Sequence, residues 1–257
     1  MKKKKKKNIL ICLVCSLLLA SNAFGADPDS RKKKVEVIAR AGYSIGGTAP
    51  LGIPATISSI DALRPTASIM AGADLKLSLI GSWGIMAGLH YENKAMDAEV
   101  TTKGYRMEVV KGDSRIEGLF TGHVKQEVTQ KMLTVPVMLT CRLGNRVTWK
   151  VGPYISFLLD KDFSGIASDG YLRQGDPTGQ RVDMGAKEGE WATYDFSDEM
   201  LDRQFGVAMG FDWRLAKHVG IMTDINWGLT GIFDKDFKTV EQTLYPIYAT
   251  VGLYLCF

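Results

Sequence analysis

The chain has 257 residues, of which 32 are Lys or Arg and 28 are Asp or Glu, and 46% are hydrophobic. Six of the basic residues are the consecutive lysines Lys2 to Lys7, and residues 1–25 contain no acidic residue. Without that segment, 26 basic residues face 28 acidic residues, which is a formal net charge of −2. This balance offers no electrostatic basis for binding nucleic acid, and we expect no nucleic-acid partner.

The first residues have the layout of a secretory signal peptide. The lysine run precedes an apolar stretch from Ile9 to Ala20, and the small residues Ala23 and Gly25 mark a cleavage site. The apolar stretch is too short to cross the ~30 Å of a bilayer core. We therefore predict a cleaved signal peptide at 1–25, a short periplasmic segment at 26–33 and a single domain at 34–257.

Beyond the predicted cleavage site, apolar residues recur at every second position in eight segments. The last segment places Ile247, Val251 and Phe257 on one face, and Tyr248 and Thr250 on the other. Such alternation is typical of strands with one apolar and one polar face. The eight predicted strands cover residues 34–45, 66–80, 82–95, 131–144, 146–160, 203–216, 218–230 and 244–257.

The connections between these strands differ in length in a regular way. Tight turns alternate with long stretches, which are residues 46–65, 96–130, 161–202 and 231–243. Short turns at one end and long loops at the other are typical of outer-membrane barrels. We therefore predict an all-β fold, an eight-stranded antiparallel up-and-down transmembrane β-barrel with short periplasmic turns and long extracellular loops. In the first long loop, Ser59 suits the N-cap of a short helix packed over the barrel mouth.

The face that we assign outward is apolar and ends in aromatic residues near both membrane interfaces. Aromatic rings favour these interfaces, because one part of the ring system tolerates water and the other prefers hydrocarbon. The two predicted girdles comprise Tyr43, Trp83, Tyr91, Trp149, Phe205, Trp213, Trp227 and Tyr245.

The opposite face is polar, rich in glycine and charged with both signs. Eight strands enclose an interior that side chains fill, so we expect these charges to pair within a closed lumen. The predicted lumen network comprises Arg40, Asp74, Lys76, His90, Glu92, Arg142, Lys150, Asp212, Arg214 and Asp224, with Asp160 as a further carboxylate. Pro136 removes a hydrogen-bond donor from the fourth strand and predicts a local bulge.

Two segments and both chain ends carry a family resemblance. Thr250, Gly252, Leu255 and Phe257 fit the C-terminal signal that the barrel assembly machinery recognises. Together with the signal peptide, the eight strands and the segments 133–139 (Leu-Thr-Val-Pro-Val-Met-Leu) and 151–155 (Val-Gly-Pro-Tyr-Ile), this tail resembles the PorT-like outer-membrane β-barrel family of Bacteroidetes. The resemblance implies the fold and a location in the outer membrane of a Gram-negative bacterium. It implies no catalytic residue.

These observations favour a non-enzymatic structural or interaction protein of the cell envelope that acts through its surface loops. We expect no cofactor and no metal. The expected partners are outer-membrane lipids and lipopolysaccharide, the barrel assembly machinery during biogenesis, and an unidentified envelope protein.

Four alternative interpretations remain open at this point. The first is a narrow porin, and the second is a lipid-modifying enzyme in which Ser78, His90 and Glu92 form a triad. The third is a soluble lipocalin-like barrel, in which the apolar face points inward. The fourth concerns a local site, because the segment from Asp160 to Gly165 resembles the start of a calcium loop. A charged barrel rim is the simpler interpretation of that segment.

Overall fold

The structure is a computed structural model that describes residues 35–50, 52, 55–66, 68–112, 114–187, 189–234, 237, 239 and 242–257. The predicted signal peptide and the segment 26–33 lie outside the described residues. Within the described part of the chain, no helix combines the length and the apolar character that a membrane crossing requires.

Strands account for most of the described residues. In chain order they are β1 (Val35–Pro50), β2 (Ile57–Pro65), β3 (Ser68–Ser78), β4 (Trp83–Lys111), β5 (Ser114–Leu143), β6 (Val147–Gln174), β7 (Arg181–Met184), β8 (Ala192–Asp195), β9 (Arg203–Arg214), β10 (Val219–Gly228) and β11 (Leu244–Cys256). A single 3₁₀ turn of the described chain, Ser197–Glu199, lies between β8 and β9.

Eight of these strands form a closed antiparallel ring in the order β4, β3, β1, β11, β10, β9, β6, β5 and back to β4. The first and last strands close the ring, since β1 pairs with β11 from Ile38↔Cys256 to Pro50↔Leu244. Short connections join β3 to β4, β5 to β6 and β9 to β10 at the predicted turns. The predicted eight-stranded up-and-down barrel is therefore confirmed.

The predicted long loops are wrong in part, because much of their sequence continues as strand. β4 and β5 pair as far as Lys111↔Ser114, so residues 96–130 form a long hairpin above the barrel. Residues 161–202 contain the end of β6 together with β7 and β8. The first predicted loop contains β2, and Ser59 lies within this strand instead of capping a helix.

β-Bulges explain why the alternation is hidden in these extensions. The β4–β5 register shifts between Thr102 and Tyr105, next to Gly104, whose φ of 66° lies in the left-handed region. One extra residue in a strand moves the inward-facing set from even to odd numbers. Thr102 is buried before the bulge and Met107 is buried after it. A register shift in the β5–β6 ladder has the same effect on β6 beyond Leu158.

The outward face of β5 shows where the hydrocarbon region ends. This face is apolar at Val135, Val137 and Leu139 but charged at Lys125 and Glu127. Charged side chains are unfavourable on the lipid side of a barrel, so the charged part lies in water. The first half of β5 thus extends roughly 50 Å beyond the membrane boundary along the strand, at ~3.3 Å per residue.

Pro136 introduces no bulge, contrary to the prediction. The β4–β5 register is identical on both sides of the proline, at His90↔Thr134 and at Ala87↔Val137. Pro136 itself lies opposite Tyr154 in the β5–β6 ladder. The missing N–H is accommodated by interrupting ladder pairs locally, without an extra residue in the strand.

The position of the membrane boundary predicts opposite results for one substitution at two sites of the same strand face. Val137→Arg places a cation in the middle of the lipid-facing belt and is expected to destabilise the barrel by about 2–4 kcal/mol. Thr129→Arg, on the same face of β5 but above the boundary, is expected to be nearly neutral. Urea unfolding in lipid vesicles measures both changes, and equal losses would contradict the assigned boundary.

Candidate functional site

The lumen is organised around the guanidinium of Arg40 on β1, which is buried. Its Nε atom donates to Asp74 on β3, and its Nη1 and Nη2 atoms donate to the two carboxylate oxygens of Asp212 on β9, at 2.8 and 2.7 Å. The bidentate geometry is the one that guanidinium and carboxylate groups favour. Because Asp74 and Asp212 belong to strands β3 and β9, these bonds tie distant parts of the barrel wall together.

The same network continues to both sides of the arginine. Asp74 also bonds Nε2 of His90 at 2.8 Å, and Asp212 lies 2.9 Å from Nζ of Lys150. Lys150 in turn bonds Asp224 at 2.9 Å. The chain of contacts from His90 to Asp224 thus joins side chains of β4, β3, β1, β9, β6 and β10. Six of the eight ring strands are linked by charged contacts that have little access to water.

Two further ion pairs lie above and below this network. Glu92 and Lys94 are buried neighbours on β4, with Nζ and Oε2 2.5 Å apart, and the same ammonium lies 5.2 Å from the ring centre of Tyr248. Near the periplasmic end, Lys76 lies 3.4 Å from Glu36. Glu36 therefore joins the residues that the sequence assigned to the lumen, and Lys94 lies on the polar face that the alternation also predicted for it.

Apolar and sulfur-containing side chains fill the rest of the lumen. The cluster packed around the charges contains four methionines, and its members are Ile38, Met70, Met86, Met138, Tyr154, Ala208, Met222 and Tyr254. A residual cavity beside His90, Glu92 and Thr134 measures only about 10 Å³, which is the space of a single water molecule. The described residues thus leave no wide passage through the lumen.

Three predicted members of the network have other environments. Arg142 is exposed near the end of β5, away from the buried charges of the network. Arg214 is half-buried near the periplasmic end, where it contacts the hydroxyl of Tyr254. Asp160 points outward and pairs with Lys131 at 2.6 Å, because the bulge in β6 places it on the outer face.

The predicted girdle residues all lie on outward rows of the ring strands. Trp83, Trp149 and Trp213 are near the periplasmic turns, and Tyr43, Tyr91, Phe205, Trp227 and Tyr245 are near the extracellular boundary.

The predicted assembly signal spans both faces of β11. Thr250 is buried, and its hydroxyl bonds that of Ser44 at 2.7 Å. Gly252 lies opposite Gly42 of β1. Leu255 and Phe257 face outward, and Phe257 is 71% exposed.

The geometry does not assemble the alternative triad. His90 bonds Asp74, and the residue opposite His90 on β3 is Gly72. Ser78 lies six residues further along β3 than Gly72, a distance of roughly 20 Å at ~3.3 Å per residue. A hydroxyl at that distance is out of reach of the imidazole, so these residues do not form a nucleophile–base pair.

The calcium-loop alternative also fails on conformation. Residues from Asp160 to Gly165 are extended and paired with β5 within strand β6. A calcium loop must instead curl its oxygen ligands around the ion. The described residues include no group of three or more His, Cys, Asp or Glu side chains arranged to hold a metal ion.

The extracellular extension has a hydrophobic core of its own, which the alternation in the sequence did not predict. The upper parts of β4, β5 and β6 curl around it, and β8 closes the gap by pairing with β6 and with Val110 of β4. Fully buried members include Val109, Phe120 and Leu172. Five aromatic rings form a cluster that includes Tyr194 of β8, with Phe196 stacked on both Tyr194 and Phe163 and the remaining contacts edge-on or tilted. Its members are Tyr194, Phe196, Phe163, Phe233 and Phe237. Burial raises the pKa of the Tyr194 hydroxyl.

One signal for this core is present in the sequence. Phe120, Val124 and Val128 recur at every fourth position of β5, with charged residues such as Lys125 and Glu127 between them. That pattern is typical of a strand whose apolar face points inward and whose outer face is in water. The inward residues Gly122, Gln126 and Gln130 interrupt it, which conceals the strand.

The lumen network predicts a large penalty when one of its central carboxylates is lost. Asp212→Asn deprives both Arg40 and Lys150 of a charged partner and is expected to destabilise the barrel by about 3–5 kcal/mol. Asp160→Asn is the matched control, since it removes an exposed ion pair worth ~0–1 kcal/mol. Midpoints of urea unfolding in vesicles compare the two variants. A loss for Asp212→Asn no larger than that of the control would contradict the structural role of the network.

A comparison with protein families agrees with the architecture. Residues 25–234 match a family model described as outer membrane protein beta-barrel domain. The fold is similar to that of Ail from Yersinia pestis, with a TM-score of 0.40, 9% identity and coverage of 88% of this chain and 100% of that one. OprG from Pseudomonas aeruginosa aligns with a TM-score of 0.34 and 12% identity, over 88% of this chain and 97% of that one. Neisserial surface protein A aligns with a TM-score of 0.35 and 8% identity, over 86% of this chain and 96% of that one.

None of the curated proteins compared with the chain matches it. The family model, however, spans most of the chain, from residue 25 to residue 234. On this match and on the closed ring of eight strands, the chain belongs to the outer membrane protein beta-barrel domain family.

Proposed function

We propose that the protein is a non-conducting barrel of the outer membrane that presents an ordered extracellular β-sheet to a protein partner of the cell envelope. The observation that carries this proposal is the hydrophobic core of the extension, which stands on a barrel whose lumen is filled. A core of this kind holds a surface in one conformation, and a preformed surface loses less entropy when it binds a partner.

The filled lumen argues against the narrow porin. An ion that crossed the barrel would have to displace Arg40, Asp212 and Lys150, whose charges are paired with one another. Separating such pairs away from water is costly. The same pairing supports a non-enzymatic role, because His90 and the carboxylates are held by structural contacts and do not face a cleft with a nucleophile.

The exposed edges of the extension are suited to a protein partner. Within the described residues, β7 pairs with β6 along one edge and has no partner strand along the other. A strand edge can pair with a strand of another protein through its free backbone N–H and C=O groups. On this edge the carbonyl of Asp183 already accepts from Nζ of Lys111, so a partner strand would displace that lysine. The edge of β7 carries Arg181 and Asp183, which form an ion pair with each other, and charged side chains protect a strand edge against general aggregation.

We also propose the finer assignments that the sequence indicates. The chain is expected to be a PorT-like barrel of Bacteroidetes, exported by a signal peptide cleaved after Gly25. Its girdles would contact outer-membrane lipids and lipopolysaccharide, and its tail from Thr250 to Phe257 would be recognised by the assembly machinery. No cofactor and no nucleic acid enter this proposal.

Conductance measurements separate the proposed role from the porin alternative. The purified barrel in a planar bilayer is expected to show no steady single-channel current, because its charges and methionines block the lumen. Removing Asp212 is expected to produce a weak or flickering current at most. A steady, large conductance from the unaltered barrel would overturn the non-conducting role.

Photo-crosslinking on intact cells tests the proposed partner surface. A photoreactive amino acid at Asp183, on the exposed edge of β7, is expected to yield discrete adducts with protein. The matched control carries the same amino acid at Leu253, which faces lipid, and is expected to yield lipid adducts only. Protein adducts at Asp183 that are no more abundant than at Leu253 would contradict an interaction role for this edge.

A further inference from the structure

The barrel wall is open on one side above Ser44. Below this level β1 is paired with β3, and the ladder ends at Ser44↔Ser68. Above it β1 remains paired with β11 up to Pro50, whereas β4 pairs with β2 in place of β3. No ladder joins β1 to β2 in the ranges that the structure describes. A seam therefore separates the upper end of β1 from the sheet formed by β2 and β4.

The two sides of this seam overlap. Gly47 belongs to the outward row of β1 that includes Tyr43 and Ile45, yet a Cβ atom on this glycine would lie 2.3 Å from the sulfur of Met96. Met96 is buried on the inward side of β4. The outer face of β1 thus lies against the inner face of β4, and a glycine permits the close approach.

An apolar cleft of about 390 Å³ lies between the overlapping faces. This volume is within the range of ~300–1,000 Å³ that is usual for small-molecule sites. At its deep end Met107 and Phe163 are each 2% exposed, whereas Ile45 and Ile247 at its entrance are 55% and 38% exposed. No charged side chain contributes to the described lining.

The entrance is continuous with the lipid-facing surface of the barrel. Ile45 follows the girdle residue Tyr43 on the outward row of β1, and Ile247 belongs to the outward row of β11 that contains Val251 and Leu253. These rows are part of the apolar belt that contacts the hydrocarbon of the membrane. Among the described residues, a hydrocarbon chain can therefore pass from the outer leaflet into the cleft without contacting a charged side chain of the lining.

We infer that the cleft binds the acyl chain of an outer-leaflet lipid, which enters sideways through the seam between β1 and β2. An uncharged, flexible occupant matches a lining that is uncharged and mostly apolar. An anionic ligand would find no cationic partner in this lining. The inference requires the outer-membrane location alone, so it stands or falls separately from the proposed protein partner.

Photolabelling with a lipid probe tests this site. The folded barrel is reconstituted in phosphatidylethanolamine nanodiscs that contain a phospholipid with a diazirine near the end of its acyl chain. After irradiation, mass spectrometry is expected to find adducts on the cleft residues Met96, Tyr105 and Met107 as well as on the belt around Val251. Belt adducts without cleft adducts would overturn the proposal.

Two substitutions on the inward face of β4 provide the decisive comparison. Ala98→Phe or Val100→Phe places a ring in the cleft and is expected to reduce cleft labelling about tenfold, because the cleft then has little free space. Ala87→Phe on the lipid-facing side of the same strand is the control and is expected to leave cleft labelling intact. Belt labelling and heat-modifiable migration confirm that each variant is folded.

Cleft labelling that persists in both folded cleft variants would contradict binding at this site. Labelling that falls in either folded cleft variant, and not in the control, supports the acyl-chain site. Because the probe is a defined lipid, this result does not depend on the identity of any cell-surface partner.

Discussion

A buried guanidinium that bonds carboxylates from separate parts of the wall is the interaction on which the structure depends. Arg40 lies on the strand that closes the ring, and its partners Asp74 and Asp212 lie on β3 and β9. A buried charge without partners is strongly unfavourable, so the barrel is stable only when these strands bring their carboxylates to the same place. The network therefore favours one register and one closed ring, and it also blocks the lumen.

The environment outside each part of the wall determines what the inside must contain. Within the membrane the outer face contacts hydrocarbon, so the charges are placed inside, where they pair with one another. Above the membrane the outer face contacts water, and the inside becomes apolar around Phe120 and Leu172. Strands β4, β5 and β6 pass through both regions. Their inner face is polar and their outer face apolar within the membrane, and the reverse holds above the boundary.

The seam is a consequence of the different lengths of the strands. β3 starts at Ser68, whereas β4 continues far beyond the level of this residue. The upper edge of β4 thus requires another partner and pairs with β2. β2 curves the sheet past the end of β1 instead of joining it, which leaves the apolar cleft between the overlapping faces. Below Ser44 the paired strands β1 and β3 form a closed wall against the lipid. Above it the overlapping strands leave a cleft that opens toward the lipid.

Much of the membrane-embedded part was predictable from the sequence, because strict alternation there reflects a simple physical contrast between lipid and lumen. The eight strands, the turns, the girdle positions and the inward placement of residues such as Arg40 and Lys150 all follow from period two. The extension was not predictable in this way. Bulges at Gly104 and beyond Leu158 change which residues point inward, and inward glutamines interrupt the apolar row.

Where the ladders of the ring are regular, the sequence by itself thus determined which residues face lipid and which face the lumen, since that choice depends on each side chain and its nearest neighbours along the strand. Beyond the β6 bulge it did not, and Asp160 lies on the outer face. Only the tertiary structure decided which charges meet. Arg142 and Asp160 have the expected residue types but lie outside the network, while Lys94 and Glu36 lie within ion pairs. Pairing across the barrel, the closure of the extracellular core by β8 and the open seam all depend on register and bulges. These features are set by contacts between strands distant in sequence, which local alternation does not encode.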